Sequence, residues 1–232
     1  SVTIDESSND EVVAYTNETM VSAPHYSTRF TRAFYQPEEF FAGYERAINI
    51  NKNLDGFVFY SDRNFWVRNL TMSLQPMTYI YLMQVILHNN NRNGRIITAI
   101  DGNANLSGMA RSVVLNTGVT GSDAITVNFD MRLKKDQDFQ DGTKCDIVGG
   151  KVVTFGIPKI NPIRLNTRSY AESLKEVGKA DLNNRHYFDV TMQFNNGKDS
   201  TFVFDVTDKV RKLYRGGVIT IELDMDTIPV PN

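Results

Sequence analysis

A single cysteine, Cys145, stands in a chain of 232 residues, which excludes an internal disulfide and any multi-cysteine metal site. The segment Gly142-Thr143-Lys144-Cys145-Asp146-Ile147-Val148-Gly149-Gly150 carries no Cys-His signature, so the expected role of Cys145 is a half-buried small residue near a strand. The three histidines, His25, His88 and His186, sit singly without His-x-x-x-His spacing, and a surface or packing role is expected for each. The sequence also lacks a Gly-x-Gly-x-x-Gly fingerprint, a P-loop and a Gly-x-Ser-x-Gly elbow. Charge of one sign is scarce: the net charge is −2 with acids and bases interspersed, so there is no broad electrostatic footprint for nucleic acid or an anionic membrane surface. The longest apolar run, Tyr79–Leu87, falls well short of the ~20 residues that span a bilayer as a helix. The sequence opens at Ser1 with neither methionine nor a charged-then-apolar leader, and a targeting segment is expected to have been removed or to lie outside it.

What is present is ordinary globular composition, 41% hydrophobic and 22% charged, enough for one large or two ordinary domains with a real core. Candidate chemistry is sparse. Asp136-Gln137-Asp138-Phe139-Gln140-Asp141-Gly142 has the outline of a calcium loop, but Ile147 occupies the twelfth position where a bidentate Glu is required, and a solvated hairpin loop is expected. Asp224 and Asp226 could form a carboxylate pair, or an acidic edge that discourages strand pairing. The 14 Phe, 10 Tyr and one Trp could stack sugars, but most fall on core faces of alternating strands, so core is the default. No catalytic, cofactor-binding or metal-binding residue is assigned.

The pattern along the chain is one of strands. Tyr79–Leu87 is apolar at odd and even positions, which predicts a central strand covered on both faces, with a helix as the competing reading. His88–Gly94 and Arg95–Ile100 predict a hairpin turn and a return strand. Asn105–Leu115, rich in small residues, predicts a kink or short turn, and Asn116–Asp123 a linker. Glu11–Thr16, Ala47–Asn51, Gly56–Tyr60, Trp66–Leu74, Ile125–Leu133 and Lys151–Phe155 read as strands. Phe188–Phe194 and Thr201–Val206 form the clearest hairpin, and Val218–Leu223 is a closing strand before the extended tail Ile228–Pro231. Two short helices are expected, at Pro37–Tyr44 and Asp208–Arg215, the second capped by Asp205 or Thr207. The expected fold is all-β, two tandem antiparallel β-sandwich domains with one or two short helices, divided into residues 1–121 and 122–232.

Three segments in order carry a family resemblance. Leu106-Ser107-Gly108-Met109-Ala110-Arg111-Ser112-Val113 follows the strand opening Pro76-Met77-Thr78-Tyr79, and Gly150–Pro158 and Phe202–Val210 come after it. Together, over about Pro76–Val210, they resemble the FimB-type fimbrial anchor and accessory proteins of Bacteroidales. The resemblance implies transthyretin-like sandwiches on an outer-membrane lipoprotein that anchors or terminates a fimbria. It implies no catalysis and no cofactor, and an acylated cysteine upstream of Ser1, since Cys145 cannot serve. Fimbrial subunits would be the partners, a strand from a neighbour adding to an edge of the first sandwich left unpaired by absent opening strands. A carbohydrate-binding sandwich is the alternative, marked by an exposed aromatic platform, and an all-β hydrolase a third.

Overall fold

The computed structural model describes residues 2–7, 11–22, 32–45, 50–91 and 94–232. In chain order these form β1 (Val2–Asp5), β2 (Val13–Thr16), β3 (Glu18–Ser22), β4 (Arg32–Phe34), β5 (Phe41–Ala42), β6 (Val58–Tyr60), β7 (Phe65–Val67) and β8 (Gln75–Pro76). The long strands β9 (Tyr79–His88) and β10 (Ile97–Ala110) follow, then β11 (Ser112–Val114), β12 (Ala124–Asp130), β13 (Arg132–Asp138) and β14 (Lys144–Thr154). Helices α1 (Pro162–Leu165) and α2 (Tyr170–Ala180) precede β15 (Tyr187–Phe194) and β16 (Asp199–Asp205), and α3 (Thr207–Lys212) precedes β17 (Gly217–Asp224). The expected all-β class with a few short helices holds.

Two sheets make the main sandwich, one ordered β16-β15-β10-β12-β4-β3 and the other β13-β14-β9-β17. Alternation explains why they face each other. Tyr81, Met83, Val85 and Leu87 of β9 turn inward with Val148, Val152 and Ile219, and meet Leu106, Ile125, Val127, Phe129 and the even residues Phe188 to Phe194 of β15 in one buried cluster. Each such side chain taken out of water contributes about 1.5–3 kcal/mol. Most ladders are antiparallel, but β17 lies parallel to β9 and β4 parallel to β12. A smaller sheet, β1-β2-β11, covers a second cluster of Ala14, Met77, Ala110, Val113 and Phe155.

The boundary expected between residues 121 and 122 does not separate two sandwiches. Strand β10 pairs with β12 and β15, and β9 with β14 and β17, so residues from both sides of it share each main sheet. The central place of β9 is as expected, though its outer face is only partly covered: Ile86 is buried while Leu82 is 48% exposed. The expected hairpin after it is an arch. Buried Asn90 takes the Ile97 amide on its side-chain oxygen (2.7 Å) and donates to the Ile97 carbonyl (3.1 Å) and to Asp146 (2.7 Å), which carries the chain across to the other sheet.

Other differences have equally local causes. Ile125–Leu133 is two strands, because the chain changes sheet at buried Met131 and enters β13. Asn105–Leu115 is mostly continuous strand with a bulge between Leu106 and Met109, and the kink resides in Gly108, at φ +78°. Pro37–Tyr44 is not helical: Gln36 accepts from the Val153 amide, Glu39 pairs with Lys151, and Phe41–Ala42 pairs with Gln75–Pro76, so the segment is tied down extended. Trp66–Leu74 holds strand only as far as Val67. Of the expected strand Ala47–Asn51, residues 47–49 lie outside the described residues, as does His25.

Helix α2 is absent from the sequence expectations, yet its signal is plain. Ser169 and Glu172 form a capping box, Glu172 N–H donating to the Ser169 hydroxyl (3.3 Å) and Ser169 N–H to the Glu172 carboxylate (3.2 Å). Helix α3 begins at Thr207, whose amide donates to the Asp205 carboxylate (3.0 Å), and the chain leaves it through Gly216 at φ +87°. A Cβ at Gly216 would stand 2.3 Å from the Ile80 carbonyl oxygen, so that turn requires glycine.

Candidate functional site

The polar residues singled out in the sequence are spent on structure. His186 is fully buried, its Nε2 2.8 Å from the Asp181 carboxylate and its Nδ1 3.2 Å from the Ser107 carbonyl. Arg211 donates to the same carboxylate (2.8 Å) and to the Asp181 and Asn184 carbonyls. Burial pushes the Asp181 carboxyl up, but the bonds from His186, Arg211 and Asn184 outweigh it and hold the group below the usual range. His88 stacks edge-on against Phe139 at 5.0 Å, with its Nε2 3.4 Å from Glu222. Cys145 is 2% exposed, deeper than expected, and burial pushes its thiol up, away from thiolate chemistry.

The acidic segment beginning at Asp136 is the β13–β14 hairpin. Asp146 accepts from Arg95 (2.7 Å), Asn90 (2.7 Å) and the Asp136 amide (2.8 Å), and Arg95 also reaches Asp136 (3.1 Å). Asp138 pairs with Lys144, and Asp141 caps its own turn through Thr143. Asp224 accepts from Asn89 (2.8 Å) and from the Asp226 amide (3.1 Å), so these two acids shape a turn. Among the described residues no three His, Cys, Asp or Glu side chains converge as a metal site.

The unusual surface lies in a part of the chain that sequence reading had assigned to core. Residues 41–45 and 50–76 lie outside both main sheets. At the root, β5 pairs with β8, Met77 N–H donates to the Phe40 carbonyl (3.1 Å), and Phe40 packs edge-on against buried Phe155. Beyond the root, β6 and β7 form a two-stranded hairpin that belongs to neither main sheet. Phe59 and Trp66 oppose each other with ring centroids 5.0 Å apart, Tyr60 stacks on Phe65 at 5.9 Å, and Arg68 lies over Phe57. These pairs hold the hairpin together but do not hide it: Trp66 is 50% exposed, and Val58, Phe59, Tyr60, Phe65, Leu70, Met72 and Leu74 are all exposed. Successive residues of a strand point to opposite faces, so both faces of the arm are apolar. An isolated two-stranded hairpin is marginal in water, and contiguous exposed apolar surface marks an interaction site. The signal was in the sequence: Phe57–Tyr60 and Phe65–Val67 alternate no polar residue, so neither face could be a solvent face.

Sheet edges are the second feature. Strand β13, at one end of its sheet, carries Arg132, Lys134, Lys135, Asp136 and Asp138, which blunt it. Strand β17, at the other end, reads Gly217-Val218-Ile219-Thr220-Ile221-Glu222-Leu223-Asp224 and has no strand on its far side among the described residues. Strand β9 is flanked by β14 and β17 and offers no edge of its own. The tail lies against the β15–β16 turn, where Asn196 donates to the Pro231 carbonyl (2.8 Å) and Ile228 packs on the core.

No protein-family model matches this chain, and no curated protein matches it. Solved structures similar to it include a provisionally named adhesin of Bacteroides ovatus, 13% identical, covering 99% of this chain and 72% of that one with a TM-score of 0.48. A provisionally named adhesin of Bacteroides thetaiotaomicron is 6% identical and covers 67% of this chain and 48% of that one, with a TM-score of 0.35.

Proposed function

We propose that this protein is a non-enzymatic, surface-exposed structural subunit, an anchor or accessory component of a fimbria or related adhesive assembly. The observation that carries the reading is the apolar β6–β7 arm, rooted through the β5–β8 pairing and exposed on both faces, the kind of surface that marks an interaction site. The fimbrial setting is supported by the resemblance of Leu106–Val113, Gly150–Pro158 and Phe202–Val210 to the anchor family, and with it come an outer-membrane location and a lipid anchor upstream of Ser1. In this reading the open edge of β17 accepts a strand from a neighbouring subunit, its free N–H and C=O groups setting the register.

The test is made in the native organism. Surface fibres are sheared off and separated, and the chain is sought in them beside a doubly substituted form, Phe59→Ser with Trp66→Ser. The native chain is expected in the fibre fraction and the variant, folded by circular dichroism, in the unassembled pool. A native chain confined to the cytosol, or a variant incorporated as well as the native one, overturns the proposal.

The paired rings of Phe59 and Trp66 favour one second reading, a carbohydrate-binding surface, because exposed aromatic faces stack on sugar rings. The sole Trp, Trp66, then reports binding directly. A saturable change in its fluorescence with a neutral polysaccharide supports that reading, and a flat titration against cell-wall and host glycans removes it.

A further inference from the structure

A separate concavity lies between α2 and the segment Lys159–Leu165. It is a cleft of about 480 Å³ floored by Ile160 and Leu165. Past Lys159, Lys179 and Ala180 it continues into a second hollow of about 440 Å³ reaching Asn183. Both volumes fall in the range of about 300–1,000 Å³ in which small molecules are bound.

The charges around this trough do not balance. Its cations are Lys159, Arg164 and Lys179, and its acids are Glu176 and Asp181. Glu176 is engaged by Arg168, and Asp181 is buried under His186 and Arg211. Among the described residues, none of the three cations has an ion-pair partner. The chain has 25 basic and 27 acidic residues, so acids were available to neutralise them.

The central cation is also held rigidly in an unfavourable backbone conformation. Lys159 has φ +62°, a region glycine or asparagine would occupy at less cost. Its amide donates to the Gly121 carbonyl (3.2 Å), and the Thr120 hydroxyl clamps both sides of it, donating to the Ile157 carbonyl (2.6 Å) and accepting from the Ile160 amide (3.0 Å). The frame fixes the backbone of Lys159 where the two hollows meet, and its side chain lines both.

We propose that the trough binds a small acidic carbohydrate, a uronic or sulfated mono- or disaccharide. The cations would meet its carboxylate or sulfate, the aliphatic floor the C–H face of the ring, and the Asn183 amide, which makes no hydrogen bond among the described residues, its hydroxyls. A free inorganic anion would leave the apolar floor unused. The site shares no residue with the arm, so its fate is independent of the fimbrial reading.

The experiment is a titration of the full chain, followed by amide NMR shifts, with a heparin-derived sulfated disaccharide as the probe. Neutral sucrose, inorganic sulfate and an oligoglutamate peptide are run beside it. The sulfated disaccharide is expected to bind saturably at millimolar concentration or below, with shifts confined to residues 158–165 and 176–184. Lys159→Gly and Lys179→Gln should each weaken it about three- to tenfold, while Lys159→Gly keeps the melting temperature because it relieves the backbone. Added salt should weaken it further. Equal binding of sucrose or of inorganic sulfate, shifts elsewhere, unchanged affinity in both variants, or occupation by oligoglutamate alone would each overturn the proposal.

Discussion

Three donors close on the buried carboxylate of Asp181: His186 Nε2, Arg211 Nε and Asn184 Nδ2 at 2.8, 2.8 and 2.9 Å. Asp181 caps the end of α2, Asn184 and His186 lie in the loop that leads into β15, and Arg211 is in α3, so one side chain ties the α2–β15 connection to α3. Asp181→Ala leaves Arg211 and His186 facing an empty site and is expected to cost about 3–5 kcal/mol, measured by urea denaturation. The carboxyl is held below its ordinary value in the folded chain, as is that of Asp146. Each therefore stabilises fully above the unfolded-state pKa, and that contribution is lost as pH falls through the folded one. Melting temperature should drop below about pH 4, and Asp181→Ala should drop less steeply. Gly108 is the other decisive residue: at φ +78° a Cβ would stand 2.4 Å from the Arg185 carbonyl and 2.8 Å from His186 Nδ1. Gly108→Ala should cost about 2 kcal/mol or more, read in the same denaturation assay.

Elements with one wet face were legible from sequence. β15 and β16 were found because Phe188, Val190, Met192 and Phe194 alternate with polar neighbours, and α3 and β17 followed from a clear terminator at Gly216. The arch after β9 was not legible, since Asn90 turns the chain by bonding across to Asp146, 56 positions away. Nor was the break at Met131, where period-two alternation runs on unchanged while the strand passes from one sheet to the other. Helix α2 could have been found from Ser169 and Glu172, but the alternating segments around it drew the reading to strands. Alternation along a strand suggests a core face for the aromatics of β6 and β7, but it carries no information about whether another layer lies opposite. Because the arm is exposed, replacing residues 57–68 by a Gly-Ser linker should leave the far-UV spectrum β-rich and the melting temperature within a few degrees. A collapse of the melting transition would mean that the arm is part of the folding core.

At the scale of the whole molecule the sandwich is interleaved, with β9 and β10 from the first half filling the middle of sheets otherwise built largely from the second. Residues 1–121 and 122–232 expressed apart should each lack dispersed amide spectra, and recover them on mixing only if they complement each other. Two independently folded halves would restore the tandem-domain arrangement read from the sequence. The parallel seam between β9 and β17 has a temporal side as well. Gln84 donates to Thr220 across that seam, from 136 positions earlier in the chain. A nascent polypeptide emerging from the ribosome therefore carries β9 with one flank bare until residues 217–224 have been made. Long-range pairing of this kind is slow to form, so closure of this seam is expected to be a late step of folding, after the β9–β14 ladder is in place.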